Sequence, residues 1–140
     1  MNLFFKPLSQ YKTLLLVIAL FNTVGVCAED EKVEFEYIQI EPIIVTNYQK
    51  KSSKKPGFVQ IKAQLTITGK DSVTKLLIHM PLVRDFIIEF LSFTDEKIIK
   101  DVTKRKELRA TLTTGIKDML TKEVGEPLIE ELIITHFMWD

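Results

Sequence analysis

Between Val33 and Asn47 the chain reads VEFEYIQIEPIIVTN. Val33, Phe35 and Tyr37 alternate with Glu34 and Glu36, the two-residue period of a half-buried strand. The phase slips at Ile38 and Ile40, and Pro42 removes a ladder donor. An edge strand with a bulge or bend at the proline is expected. From Phe58 to Thr68 the alternation is unbroken. Val59, Ile61, Ala63, Leu65 and Ile67 face one way, and Gln60, Lys62, Gln64, Thr66 and Thr68 the other. Gly69-Lys70-Asp71 ends this strand, with Asp71 or Ser72 as the expected cap of a following helix.

The period then changes from two to between three and four. Val73, Leu76, Leu77, Met80, Val83, Ile87, Ile88 and Leu91 form one apolar helical face, interrupted in mid-sequence by Pro81. A proline there lacks the backbone donor and crowds the preceding turn, so a kink or a restart is expected. The stretch FTDEKIIKDVTK reads as a connection with a short turn of helix. A second long helix is expected from about Lys104 to Val124, with Leu108, Leu112, Ile116, Met119 and Leu120 as its stripe. Gly125 marks its end and Pro127 lies two residues beyond. The closing run, with Leu132, Ile133, Ile134, Phe137 and Trp139, reads as a strand covered on both faces. The order strand, strand, helix, helix, strand predicts an α+β domain, a small antiparallel or mixed sheet packed with two long helices. No internal repeat or second domain is visible.

Ahead of this domain, Leu14 to Phe21 is an unbroken apolar octet preceded by Lys6 and Lys12, and Val26-Cys27-Ala28 precedes the acidic Glu29. This is the layout of a secretory signal with cleavage after Ala28. A retained signal anchor is the rival reading. From Leu14 to Ala28 a helix would run about 22 Å, short of a hydrocarbon core of about 30 Å. A third reading makes Cys27 a lipidated residue, although Val26 is bulky for such a site. Export is expected in each case, with residues 1–28 as signal peptide or short anchor and 29–140 as the exported domain.

Charge excludes one class of partner. Two of the 19 basic side chains, Lys6 and Lys12, precede the apolar octet, leaving 17 against 19 acids in the body. A slightly acidic domain without a basic face is a poor nucleic-acid binder. Cys27 is the sole cysteine, so no intrachain disulfide forms. Metal binding needs clustered His, Cys, Asp or Glu, and His79 and His136 are the only histidines. No glycine-rich phosphate cradle or nucleophile motif is present. Neither a cofactor nor catalysis is expected. Lys50, Lys51, Lys54 and Lys55 lie in a polar segment ending at Pro56-Gly57. It reads as a solvated hairpin tip or as a contact for phosphate or an acidic lipid surface.

Three segments carry a family likeness. MPLVRDFIIEFLS (Met80 to Ser92), DVTKRKELRATLTTGIKDML (Asp101 to Leu120) and ELIITHFMWD at the close resemble the flagellar basal-body-associated FliL family. The matching features are Pro81 followed by Arg84-Asp85, the Leu108-Arg109 pair opening the second helix, and Thr135-x-Phe137 in the last strand. The resemblance spans Val33 to Asp140. It departs where the family has a basic tail with a full membrane helix, and in having Arg105-Lys106 ahead of the Leu-Arg pair. It implies a stomatin-like domain that assembles as a homo-oligomer or ring around stator proteins of the MotA and MotB type, at the periplasmic face of the inner membrane. The work so implied is mechanical support or regulation, with Pro81, Arg84 and Asp85 as expected protein-contact residues. The competing expectation is a periplasmic adaptor or membrane-surface scaffold unrelated to motility.

Overall fold

The computed structural model describes residues 34–51 and 53–140. The apolar octet, Cys27 and the expected cleavage site lie outside the described residues. In chain order the elements are β1 (Phe35–Gln39), β2 (Ile44–Tyr48), β3 (Gly57–Thr68), α1 (Lys70–Ser92), α2 (Glu96–Lys100), a 3-10 turn (Val102–Lys104), α3 (Arg105–Val124) and β4 (Glu131–Trp139). The class is α+β, as the alternating periods predict.

All strand ladders are antiparallel and β3 is their centre. β1 pairs with the C-terminal half of β3 and β2 with its N-terminal half, while β4 runs along the opposite side. β1 and β2 are therefore two lengths of one edge, divided at Pro42 as the missing donor requires. Ile40 N–H still donates to Ala63 C=O at 2.9 Å, and the Glu41-Pro42 peptide is cis. At the same level β4 slips register, with Lys62 opposite His136 but Ala63 opposite Ile134. Thr135 is the extra residue of that bulge, and its hydroxyl donates to Lys62 C=O at 3.2 Å. Both edges thus bend beside the Lys62-Ala63 peptide.

Both long helices lie on one face of the sheet, α1 over β2 and α3 over β4. The core is filled by Val59, Ile61, Ala63, Leu65 and Ile67 from β3, met by Leu76, Val83, Ile87 and Leu91 from α1 and by Leu108, Leu112, Ile116 and Leu120 from α3. These are the residues the periodicity selects. Gly125, with φ 90°, ends α3 in the left-handed conformation and donates its N–H to Thr121 C=O at 2.9 Å. Tyr48 closes the β2–β3 hairpin: its ring covers Gly57, where a Cβ would fall 2.2 Å from the ring. The Tyr48 hydroxyl donates to Asp140 C=O at 2.8 Å, and burial raises its pKa above the ordinary phenol value.

Five local expectations are corrected. In β1 the inward residues are Glu36 and Ile38, opposite Ile67 and Leu65, so Phe35 and Tyr37 lie on the face turned away from α1 and α3. Ile38 and the buried Ile40 set the phase, because they continue the core that β3 and the helices build. Gly69, with φ 84°, precedes α1, which has no side-chain cap from Asp71 or Ser72. Of the kink or restart expected at Pro81, the restart does not occur: α1 runs through the proline as one helix, with Pro81 on its exposed side. Leu77, 53% exposed, is outside the apolar face. β4 is an edge strand and not a covered one. Leu132 is its sole fully buried residue, and His136 and Met138 lie on the open face opposite Lys62 and Gln60.

Candidate functional site

The three expected contact residues occupy the middle of α1 but do not act as a unit. Pro81 and Asp85, four residues apart, share the exposed face. Because Pro81 has no N–H, the Leu77 carbonyl lacks its helical donor. Leu77, Ile78 and Leu82 surround this point as exposed apolar side chains, Ile78 at 71%. Arg84 turns the other way. Its Nη1 donates to the Pro42 carbonyl, fastening α1 to the bend between β1 and β2. Asp85 thus stands beside an apolar surface rather than in an Arg84–Asp85 pair.

The other two family features come together at the opposite side of the domain. Arg109 near the start of α3, and Thr135 and Phe137 on β4, line one cavity of about 420 Å³ with Arg105, Lys106 and Ile134. The Arg105 guanidinium lies 3.4 Å from the centre of the Phe137 ring and donates through Nη2 to Ile99 C=O at 3.1 Å. Partial burial lowers its pKa below the ordinary arginine value, and its Nε is buried without a partner. Arg109 pairs with Glu131 at 3.2 Å. Thr113 accepts from the Leu132 N–H at 3.2 Å, and Lys117 reaches Glu130 at 3.7 Å. Together these bonds fasten α3 to β4. The Leu-Arg and Thr-x-Phe features therefore hold helix and strand in position, through packing for Leu108 and Phe137 and through charge for Arg109.

Sequence reasoning missed two of these residues, although each left a trace. Arg105 stands three positions before Leu108, on the helical stripe itself, where a cation needs a partner such as an aromatic face. Gly115, in mid-helix between Leu112 and Ile116, marks a close approach. A Cβ there would stand 2.4 Å from Cζ of Phe86, so α1 and α3 cross where this residue has no side chain.

The lysine segment is partly engaged within the fold. Lys51 pairs with Asp95, and Lys50 lies 5.9 Å from the centre of the Tyr48 ring. Lys54 and Lys55 are exposed. Among the described residues no group of three or more His, Cys, Asp or Glu could hold a metal ion. His79 Nδ1 lies 2.8 Å from Lys75 C=O, one turn earlier in α1. Among the described residues no helix is long and apolar enough to cross a membrane.

No curated protein matches the chain. The family model described as flagellar basal body-associated protein FliL matches residues 37–139, from the second half of β1 to the end of β4. That span is well over half of the 140 residues and includes the edge bend, the helix crossing and the α3–β4 contacts. The chain belongs to the FliL family of flagellar basal body-associated proteins.

Proposed function

We propose that this protein is a non-catalytic accessory of the flagellar motor, which supports or regulates stator units at the periplasmic face of the basal body. The observation that carries the reading is the family match across the whole strand-helix-strand domain. In this reading residues 1–28 direct export, residues 29–140 form the working domain, and the domain acts as a homo-oligomer or ring against MotA and MotB type stator proteins. It remains at the inner membrane through those contacts or through a retained N-terminal segment. The apolar surface around Pro81, with Asp85 beside it, is the region proposed to meet the partner.

Such an accessory works by binding one arrangement of the stator better than another. It shifts assembly by no more than its differential affinity for the two. A clean deletion should therefore leave flagella in place but lower swimming speed, or stop swimming only in viscous medium. Swimming at wild-type speed at every viscosity, in a strain with no second family member, rejects the motor role. The adaptor reading would then lead, and the exposed Lys54 and Lys55 would be tested first on liposomes.

A further inference from the structure

A groove of about 610 Å³ opens between the C-terminal half of α1 and the N-terminal half of α3. The two helices touch where Phe86 meets Gly115, and the groove extends from there toward Phe93 and Lys104. Phe86, Phe90, Ile98 and Leu108 form its apolar floor. The Phe86 and Phe90 rings are stacked with centroids 6.3 Å apart. Phe93 stands at the rim, 71% exposed, although it is the kind of side chain a core would normally take. Residues at i, i+3, i+4 and i+7 line both walls, namely 86, 89 and 90 of α1 with 93 just past its end, and 107, 108 and 111 of α3 with 104 from the 3-10 turn that leads into it. Two such faces run side by side for two turns, about 10 Å.

That geometry suits a third helix better than an extended chain. A helix satisfies its own backbone and can lay side chains between the ridges of the other two. An extended segment would bring unpaired N–H and C=O groups onto aromatic side chains that offer no hydrogen bonds. The rim sets the sign of the charge. Glu89 and Glu107 are exposed, one from each helix, and no ion pair joins either of them to another described residue. Asp95, also at the groove, is already paired with Lys51. Lys104 is the single base among the lining residues. A net negative rim around an apolar floor repels an anionic lipid surface and favours a cationic amphipathic ligand.

We propose that this groove receives an amphipathic helix of a partner protein, with apolar side chains seated between Phe90 and Leu108 and Lys or Arg set against Glu89 and Glu107. The assignment rests on the groove alone, so it stands or falls separately from the motor role. The test uses the purified full chain and two labelled peptides of about 15 residues that share one leucine face, one flanked by lysine and one by glutamate. Fluorescence anisotropy should show the lysine peptide binding about tenfold more tightly, an advantage that shrinks in high salt. Phe93→Ala should weaken that binding severalfold. Glu89→Lys combined with Glu107→Lys should transfer the preference to the glutamate peptide. All three residues are exposed, and unchanged melting curves would show that each variant is folded. Equal binding of the two peptides, absence of binding by both, or indifference to these substitutions overturns the proposal. So does concentration-dependent self-association that Phe93→Ala abolishes, since the occupant would then be a second copy. Binding to anionic vesicles that the same substitution abolishes overturns it as well.

Discussion

The two faces of the sheet use similar residues to opposite ends. On the helix side Val59, Ile61, Leu65 and Ile67 are at most 1% exposed. On the other side Phe35, Tyr37, Val45, Phe58 and Met138 are each 50% exposed or more. Composition alone does not separate the two sets, because both are apolar and strand-compatible. What separates them is cover: α1 and α3 lie on one face only. An inward side chain gains the full transfer from water and close packing, whereas an outward one gains only what its strand neighbours shield.

The largest expected effect comes from placing charge inside the covered face. Leu112 is fully buried on α3, and Leu112→Asp would bury a carboxylate with no partner. The cost is several kcal/mol, on the order of the total stability of a domain this size. Loss of the cooperative far-UV thermal transition is the expected result. A transition within a few degrees of the parent would mean that α3 can turn this face outward, and the contrast between faces would collapse.

Next in size is a direct comparison across the sheet. Leu65→Ala removes a fully buried side chain and should cost about 3 kcal/mol in denaturant unfolding. Tyr37→Ala, on the outer face of neighbouring β1, should cost less than about 1 kcal/mol. Similar costs for the two would show that something covers the open face in solution, for instance a second copy. Repeating the measurement at several protein concentrations would reveal it.

Gly115→Ala tests the helix layer itself. The new methyl would meet the Phe86 ring, so α1 and α3 must separate or the ring must move. A cost of about 1 to 2 kcal/mol is expected, despite the better helix propensity of alanine. A stabilised variant would show that the ring moves freely, and that the crossing is looser than the packing of the core beneath it.

The smallest effect concerns the solvated side of the molecule. Hydrogen bonding to Lys51 and to the Lys97 N–H holds the Asp95 carboxyl below its ordinary pKa. A depressed folded-state pKa contributes stability that is present above the unfolded value and is lost as pH falls through the folded one. Asp95→Asn should therefore lower the melting temperature slightly at neutral pH, with the difference from wild type vanishing in acid below the carboxylate range. A difference that persists unchanged there would assign the effect to the α2 cap geometry and not to the ion pair.

Much of this fold was legible because its signals are local. The unbroken alternation of Val59 to Ile67 has one apolar face, so it has one possible inside. The stripe Leu108, Leu112, Ile116 and Leu120 repeats every fourth residue, and Gly125 terminates it for a stereochemical reason that needs no neighbour. The family likeness was legible for the same reason, since each motif is a short run of chain. The candidate contact surface was legible only in part. Pro81 and Asp85 reach solvent as their positions in the helix suggested, but the bond from Arg84 to Pro42 joins residues 42 positions apart.

In β1 the sequence by itself determined that a strand would form and that the edge would bend or bulge at Pro42. Phe35 and Tyr37 offered one apolar face and Ile38 and Ile40 another, and a period of two cannot choose between them. The choice fell to the pairing of Ile38 with Leu65, which extends a core already roofed by helices. The same holds for β4, whose apolar run was compatible with a covered strand until the sheet ended beside it. Arg105 on Phe137, Phe86 over Gly115 and the acidic-rimmed groove are likewise properties of two elements meeting. Residue periodicity carries the shape of one element, but the free energy that selects its partner depends on surfaces brought together from distant parts of the chain.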